Sequence, residues 1–309
     1  MSGAGWVTMG AVAVNAAIAP WYVRARPMAL AKAYNGASIG GVVFSPLWVL
    51  LIAQRGFTAG ACLVGLVMVA GMTLLSATVF NKTPEQFGQR PDGEAIGAVA
   101  VDLTSPQARG LPGRLLWRNR RFLSLALRMS AGLFAQIGLL AHLFSMLVPA
   151  LGAQAAGLAM GFATACAIAG RMLVARLLPA GANRRVVAAL AYGVQLAGSM
   201  VLLGVDEQQT AWILLGVVLF GSGIGNATPL PPLIAQVEFA KEDVSRVVAL
   251  IVALAQASYA FAPAGLGFVL STSAAGGPHL GTDTSAFLLA VAAVQLMAIL
   301  SFLAGCHSA

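Results

Sequence analysis

Apolar residues fall in nine long runs: Gly3 to Tyr22, Met28 to Ala53, Phe57 to Phe80, Phe122 to Val148, Ala153 to Val174, Val186 to Leu203, Thr210 to about Leu233, Val247 to Leu270 and Ser285 to Ala304. Each is about 18–27 residues long, enough at ~1.5 Å per residue to cross a hydrocarbon core of ~30 Å as a helix. The pattern predicts an all-α, polytopic membrane protein with nine transmembrane helices. The longest polar interruption, Asn81 to Arg121, separates three runs from six. At about 40 residues, and poor in apolar side chains, it is too small to fold as a domain. The expected organisation is a partial N-terminal bundle at 1–80, a linker at 81–121 and a six-helix bundle at 122–309.

Charge then orients the spans. The gaps after the first, third, fifth and seventh runs, with the run ends beside them, hold nearly all the basic residues: Arg24, Arg26 and Lys32; Lys82, Arg90, Arg109, Arg114, Arg118, Arg120 and Arg121; Arg171, Arg176, Arg184 and Arg185; Lys241 and Arg246. The other gaps hold Arg55 beside Asp206, Glu207, Asp283 and His279. Lys and Arg concentrate in cytoplasmic loops, so the linker is expected in the cytoplasm, the N-terminus outside and the C-terminus inside. The net charge of +8 follows from these loops, and no nucleic-acid partner is expected. Met1 leads directly into an apolar run with no basic segment before it, so no cleavable signal is expected.

The end of the linker, Arg114 to Phe122, is basic and amphipathic. It reads either as a helix that binds lipid headgroups or a partner, or as an ordinary anchor with a Trp at the interface. Cys62 and Cys166 lie in apolar runs, and Cys306 ends the last one, without metal or redox spacing. Cys306-His307-Ser308-Ala309 has the length of a prenylation box but lacks its aliphatic middle.

Two stretches carry a family resemblance. Ala19-Pro20-Trp21-Tyr22-Val23-Arg24-Ala25-Arg26-Pro27-Met28-Ala29-Leu30, followed by Asn35-Gly36-Ala37-Ser38-Ile39-Gly40-Gly41 and Pro46, resembles the junction of helices four and five in the major facilitator superfamily, above all its bacterial monocarboxylate-type branch. Thr83-Pro84-Glu85-Gln86-Phe87-Gly88-Gln89-Arg90-Pro91-Asp92-Gly93 is similar to the segment after helix six in that branch. The resemblance runs from about Ala11 to Leu303. It implies a twelve-helix fold from which the first three helices are missing, in the inner membrane of a bacterium. Gly170-Arg171-Met172-Leu173-Val174-Ala175-Arg176-Leu177-Leu178-Pro179, ending in Arg184-Arg185, resembles the C-half copy of the family's signature loop. Pro179 stands where that pattern usually has an acid, so the charge-relay latch of relatives lacks that member here. Gly40-Gly41 precedes Pro46, the reverse of the fifth-helix motif typical of drug antiporters.

Polar side chains are expensive in hydrocarbon and face the bundle interior or an aqueous cavity. Near mid-span lie Asn35, Ser38, Gln136, Gln195, Asn226, Gln256, Tyr259 and Gln295. The resemblance implies that the helices bearing Asn35, Ser38, Gln136, Asn226, Gln256 and Tyr259 contact a central cavity, and that Gln195 and Gln295 mediate packing. Arg128 lies roughly 10 Å inside the start of its helix; it either attracts an anionic solute or snorkels to the interface. Arg128, Gln136 and His142 share an arc of about 120°. His142 reads as a proton relay or as a hydrogen-bonded interfacial histidine. No Asp or Glu lies within the nine runs. Gly36/Gly40 and Gly157/Gly161 have the spacing of close helix packing. Gly221, Gly223 and Gly225, just before Pro229, Pro231 and Pro232, predict a bend that serves gating.

No nucleotide, metal or nucleophile pattern appears, and Gly221-x-Gly223-x-Gly225 follows no strand. No cofactor and no enzymatic activity are expected. The expected function is a secondary transporter or permease that moves a small organic solute, an organic anion by preference, as two bundles rock about a midplane site, with a proton as a candidate coupling ion. The alternative is a truncated, non-transporting remnant or accessory subunit that needs its missing helices in cis or in trans.

Overall fold

The computed structural model describes residues 11–93, 113–178, 182–273, 280 and 284–304, with the backbone alone at 11–12, 41–50, 53, 93, 114, 241, 273 and 304. The first run is therefore described only from residue 11, and the linker residues 94–112, Pro179 and Cys306 lie outside the described residues. The described elements are helices and turns, as an all-α polytopic fold requires. The chain divides into two compact units, Met1–Leu103 and Thr104–Ala309.

In the first unit, α1 (Ala11–Ile18) precedes α2 (Arg26–Leu75). Pro27 sits in the first turn of α2, where its missing N–H leaves no hydrogen bond unmade. The second and third runs share α2 with no loop between them. They part at Gly56, where φ is 75° and ψ 166°, a conformation open to glycine and strained for other residues. After a last turn widened at Ser76–Phe80, the chain makes a 3-10 turn at Pro84–Phe87, entered through a Thr83/Gln86 capping box. Hydrogen bonds from the backbone N–H of Glu85 and from the Thr83 side chain hold the Glu85 carboxyl below its ordinary value.

This turn brings together the two stretches of family resemblance. The Asp92 carboxylate accepts hydrogen bonds from the backbone N–H groups of Val23, Arg24 and Ala25, the shortest at 2.7 Å. The N–H of Asp92 donates to the Trp21 carbonyl at 2.8 Å. Phe87 lies 6.2 Å from Trp21, centroid to centroid. A carboxylate at this point satisfies the amides of the turn that leads into α2 and complements the helix dipole.

In the second unit, α3 (Gly113–Leu116) is a single turn. The segment from Arg114 to Phe122 is not one amphipathic helix. Asn119 interrupts it as the N-cap of α4 (Arg120–Leu177), accepting from the N–H groups of Arg121 and Phe122 at 2.9 and 3.3 Å. α4 holds the fourth and fifth runs, parted at Gly152 with φ 77° and ψ 160°. There follow α5 (Arg184–Leu203), α6 (Thr210–Ile224), α7 (Leu230–Glu238), α8 (Lys241–Ser273) and α9 (Ser285–Ala304). The principal packing is of α4 against α8, α6 and α9, and of α5 against α6 and α9. Leu139, Leu143, Phe220, Val217, Phe287 and Val291 lie in its core.

Among the described residues, five helices are long and apolar enough to cross a membrane: Gln54–Phe80, Arg120–Leu177, Arg184–Leu203, Glu242–Thr272 and Ser285–Leu303. The difference from nine has structural causes. α4 carries two runs on one element, and the first two runs are described only in part. The seventh run, expected to continue to about Leu233, instead stops at Ile224 and restarts at Leu230.

Candidate functional site

The seventh run breaks where its prolines remove backbone donors. A helix carbonyl accepts from the N–H four residues on, so Pro229 leaves the Gly225 carbonyl without a helical partner. The segment 225–229 closes instead through turns: Ala227 N–H to the Ile224 carbonyl at 3.2 Å and Leu230 N–H to the Asn226 carbonyl at 3.3 Å. Arg171, on the second arm of α4, donates from Nε to the Gly225 carbonyl at 2.7 Å. Asn226 sits in the break with only 3% of its surface exposed.

Close backbone approach makes this contact feasible. An added Cβ on Gly225 would overlap the Ala167 carbonyl, one on Gly170 the Ser222 carbonyl and one on Gly221 the backbone of Ala163. The glycine pairs with small-xxx-small spacing behave differently. A Cβ on Gly36, Gly40, Gly157 or Gly161 would meet no described atom within 4 Å, so no described residue packs closely on those glycines.

Below the break, α7 is held by arginines from α5. Arg184 donates to the Leu233 carbonyl, and Arg185 grips both carboxylate oxygens of Glu238 while reaching the Ser124 hydroxyl at 3.4 Å. Arg185 is 4% and Glu238 17% exposed, and a paired, hydrogen-bonded geometry is what makes such burial tolerable. Arg171, Arg184 and Arg185 of the signature-like stretch thus engage Glu238 and backbone carbonyls.

Arg128 is fully buried, its guanidinium 4.8 Å over the Phe302 ring of α9. It therefore does not snorkel, and it lies among packed helices. Phe302 also packs on Tyr192 of α5, at 5.6 Å. Gln136 is buried on the same arm of α4. Gln256 and Tyr259 are half-buried on α8, and between them Ser258 donates to the Ser130 carbonyl of α4 at 3.1 Å. His142 lies 3.0 Å from the Pro263 carbonyl through Nε2 and packs edge-on against Phe287. That geometry gives it a hydrogen bond between α4 and α8.

In the first unit, Asn35 is buried on α2, and the Ser38 hydroxyl donates to the Tyr34 carbonyl at 3.4 Å. The Tyr34 hydroxyl accepts from the Asn15 amide at 3.3 Å. Gln195 and Gln295 are fully buried, and their amide atoms have no hydrogen-bond partner among the described residues. Among the described residues, no group of His, Cys, Asp and Glu could hold a metal ion.

A family model for the Major Facilitator Superfamily matches residues 2–263. The chain belongs to the major facilitator superfamily. It is accordingly an integral membrane protein of a transporter family. No curated protein matches it. In this facilitator the broken seventh run has the form that transporters use at their sites, a discontinuous helix whose unwound backbone lies inside protein.

Sequence reasoning picked out Gly221, Gly225, Pro229 and Asn226, and the structure brings them together at the break. It missed the partners that hold them. Arg171 was visible only as part of a loop motif, and Glu238 was not singled out at all. The one local signal was the four-residue spacing of Gly225 and Pro229, which predicts an orphan carbonyl and hence a donor from elsewhere.

Proposed function

We propose that this chain moves a small organic solute, an organic anion by preference, by alternating access. Its setting is the inner membrane of a bacterium, with the N-terminus outside and the linker and C-terminus in the cytoplasm. The observation that carries the reading is the discontinuous helix at 225–229, which holds the buried polar side chain of Asn226 between two helical pieces. Discontinuous helices supply solute and ion contacts in secondary transporters. We assign solute contact to Asn226, Gln136, Gln256 and Tyr259 in the second unit and to Asn35 and Ser38 in the first.

The preference for an anion rests on intramembrane charge. The nine apolar runs contain the cations Lys32, Arg128 and Arg171 and no Asp or Glu, and fixed cations in a low-dielectric interior raise the local concentration of anions. Arg128 supplies this charge from beneath Phe302.

The test is uptake by the purified chain in liposomes, using labelled small carboxylates against neutral and cationic solutes of similar size. Saturable carboxylate uptake is expected, abolished by Arg128→Gln and partly kept by Arg128→Lys at unchanged protein abundance. Uptake confined to neutral or cationic solutes would overturn the anion reading. Unchanged kinetics in the Gln variant would remove Arg128 from the site. For topology, single cysteines near Asp206 should react with an impermeant maleimide on intact cells, and those at 82–92 should not.

A further inference from the structure

Pro229 leaves the Gly225 carbonyl without its helical donor whatever conformation the neighbouring helices adopt, because proline has no N–H to give. An unmet carbonyl in an apolar interior is costly, and water is scarce inside a membrane protein's packed bundle. The required donor must come from another segment. Arg171 provides it from 54 residues earlier, with Nε 2.7 Å from the Gly225 oxygen and the side chain only 8% exposed.

The surrounding packing is shaped for that bond. Gly225, Gly221 and Gly170 are all positions where a Cβ would overlap backbone of the facing helix. Their absent side chains let α4 and α6 approach until the first carbon of the Arg171 side chain lies 3.1 Å from where a Gly225 Cβ would be. Arginine suits the task because its planar fork keeps one N–H aimed while the others bond elsewhere, and it stays charged. A charge-assisted bond to a fixed carbonyl resists rotation of the break better than a turn bond alone.

We infer that Arg171 is the positioning residue of the broken helix: it takes the place of the donor that Pro229 removes and so sets where Asn226 stands. The inference deepens the transport reading, on which the role of Asn226 depends. The bend is held at one end by Arg171 on Gly225 and at the other by Arg184 on Leu233, with Asn226 between the two.

Proline chemistry supplies a direct test. Pro229→Ala returns an N–H to the position that a helix would use for the Gly225 carbonyl, making Arg171 dispensable there. Amide hydrogen exchange of the full chain in lipid nanodiscs should show residues 226–230 exchanging at least tenfold faster in Arg171→Met. Exchange should be intermediate in Arg171→Lys and near the parent rate in the double variant Arg171→Met with Pro229→Ala. If Arg171→Met fails to fold, a folded double variant supports the inference and an unfolded one overturns it. Parent-rate exchange in Arg171→Met, or no suppression by Pro229→Ala, also overturns it. In liposome uptake, Arg171→Met should raise KM several-fold more than it lowers the maximal rate, with partial rescue by Lys. An equal fall in uptake with KM unchanged would leave Arg171 a packing residue and overturn the positioning role. The exchange result does not depend on uptake. Suppression by Pro229→Ala together with no uptake of any solute would sink the transporter reading and leave the hydrogen-bond exchange between Arg171 and Pro229 intact.

Discussion

The breaks at Gly152 and at 225–229 interrupt apolar helix in opposite ways. At Gly152 a single residue with φ 77° parts the two arms of α4. It is exposed, and a Cβ there would meet nothing within 4 Å. At 225–229 the residues are buried or nearly so, prolines have removed donors, and a side chain from another helix answers the orphan carbonyl. A chain that turns at the surface of a bundle needs only a permissive backbone, since water or headgroups meet the freed groups. One that opens inside the bundle needs a named partner for each freed group. Turning between spans and opening within a span are therefore different problems, and this chain solves them with different residue types.

Three substitutions sharpen or break that comparison. Gly225→Val should have the largest effect, because its side chain would drive into the Ala167 backbone and overpacking of this kind costs about 3 kcal/mol or more. Thermal unfolding in detergent should show a clear loss, and a variant as stable as the parent would mean the seam at Gly225 is not tight. Gly152→Ala meets no steric neighbour, so its penalty is the dihedral alone, roughly 1–2 kcal/mol. The same measurement should rank it below Gly225→Val, and equal losses would collapse the distinction between the two breaks. Asp92→Ala should be smallest. It removes a half-buried carboxylate cap from three N–H groups, worth about 1 kcal/mol. Limited proteolysis should then quicken around Val23 to Arg26 with little change in global unfolding, and unaltered cleavage would show that the cap holds nothing.

The two units differ in the same sense. None of the most apolar window of Gln54–Phe80 is buried within the chain, whereas 56% of that of Arg120–Leu177 is. The first unit accordingly relies on local devices at a polar end: a capping box, a carboxylate cap and the Trp21 to Phe87 contact. The second has a shared core and places its polar contacts inside it, as with Arg185 on Glu238 and Arg128 under Phe302.

Sequence alone determined the features that composition and short-range spacing govern. The apolar runs, the all-helical class, the family resemblance in Trp21 to Gly41 and Thr83 to Gly93, and the coming break before Pro229 were all readable, because span length and proline chemistry act locally. Only the tertiary structure decided which side chains answer one another. That Asp92 caps residues 67 to 69 positions earlier, that Arg171 serves Gly225, and that Arg128 lies under a ring of the last helix depend on which helix faces pack together. An apolar run states that it will be buried in lipid or protein, and says nothing about its neighbour. The donor for an orphan carbonyl must exist, but its address is written in the packing.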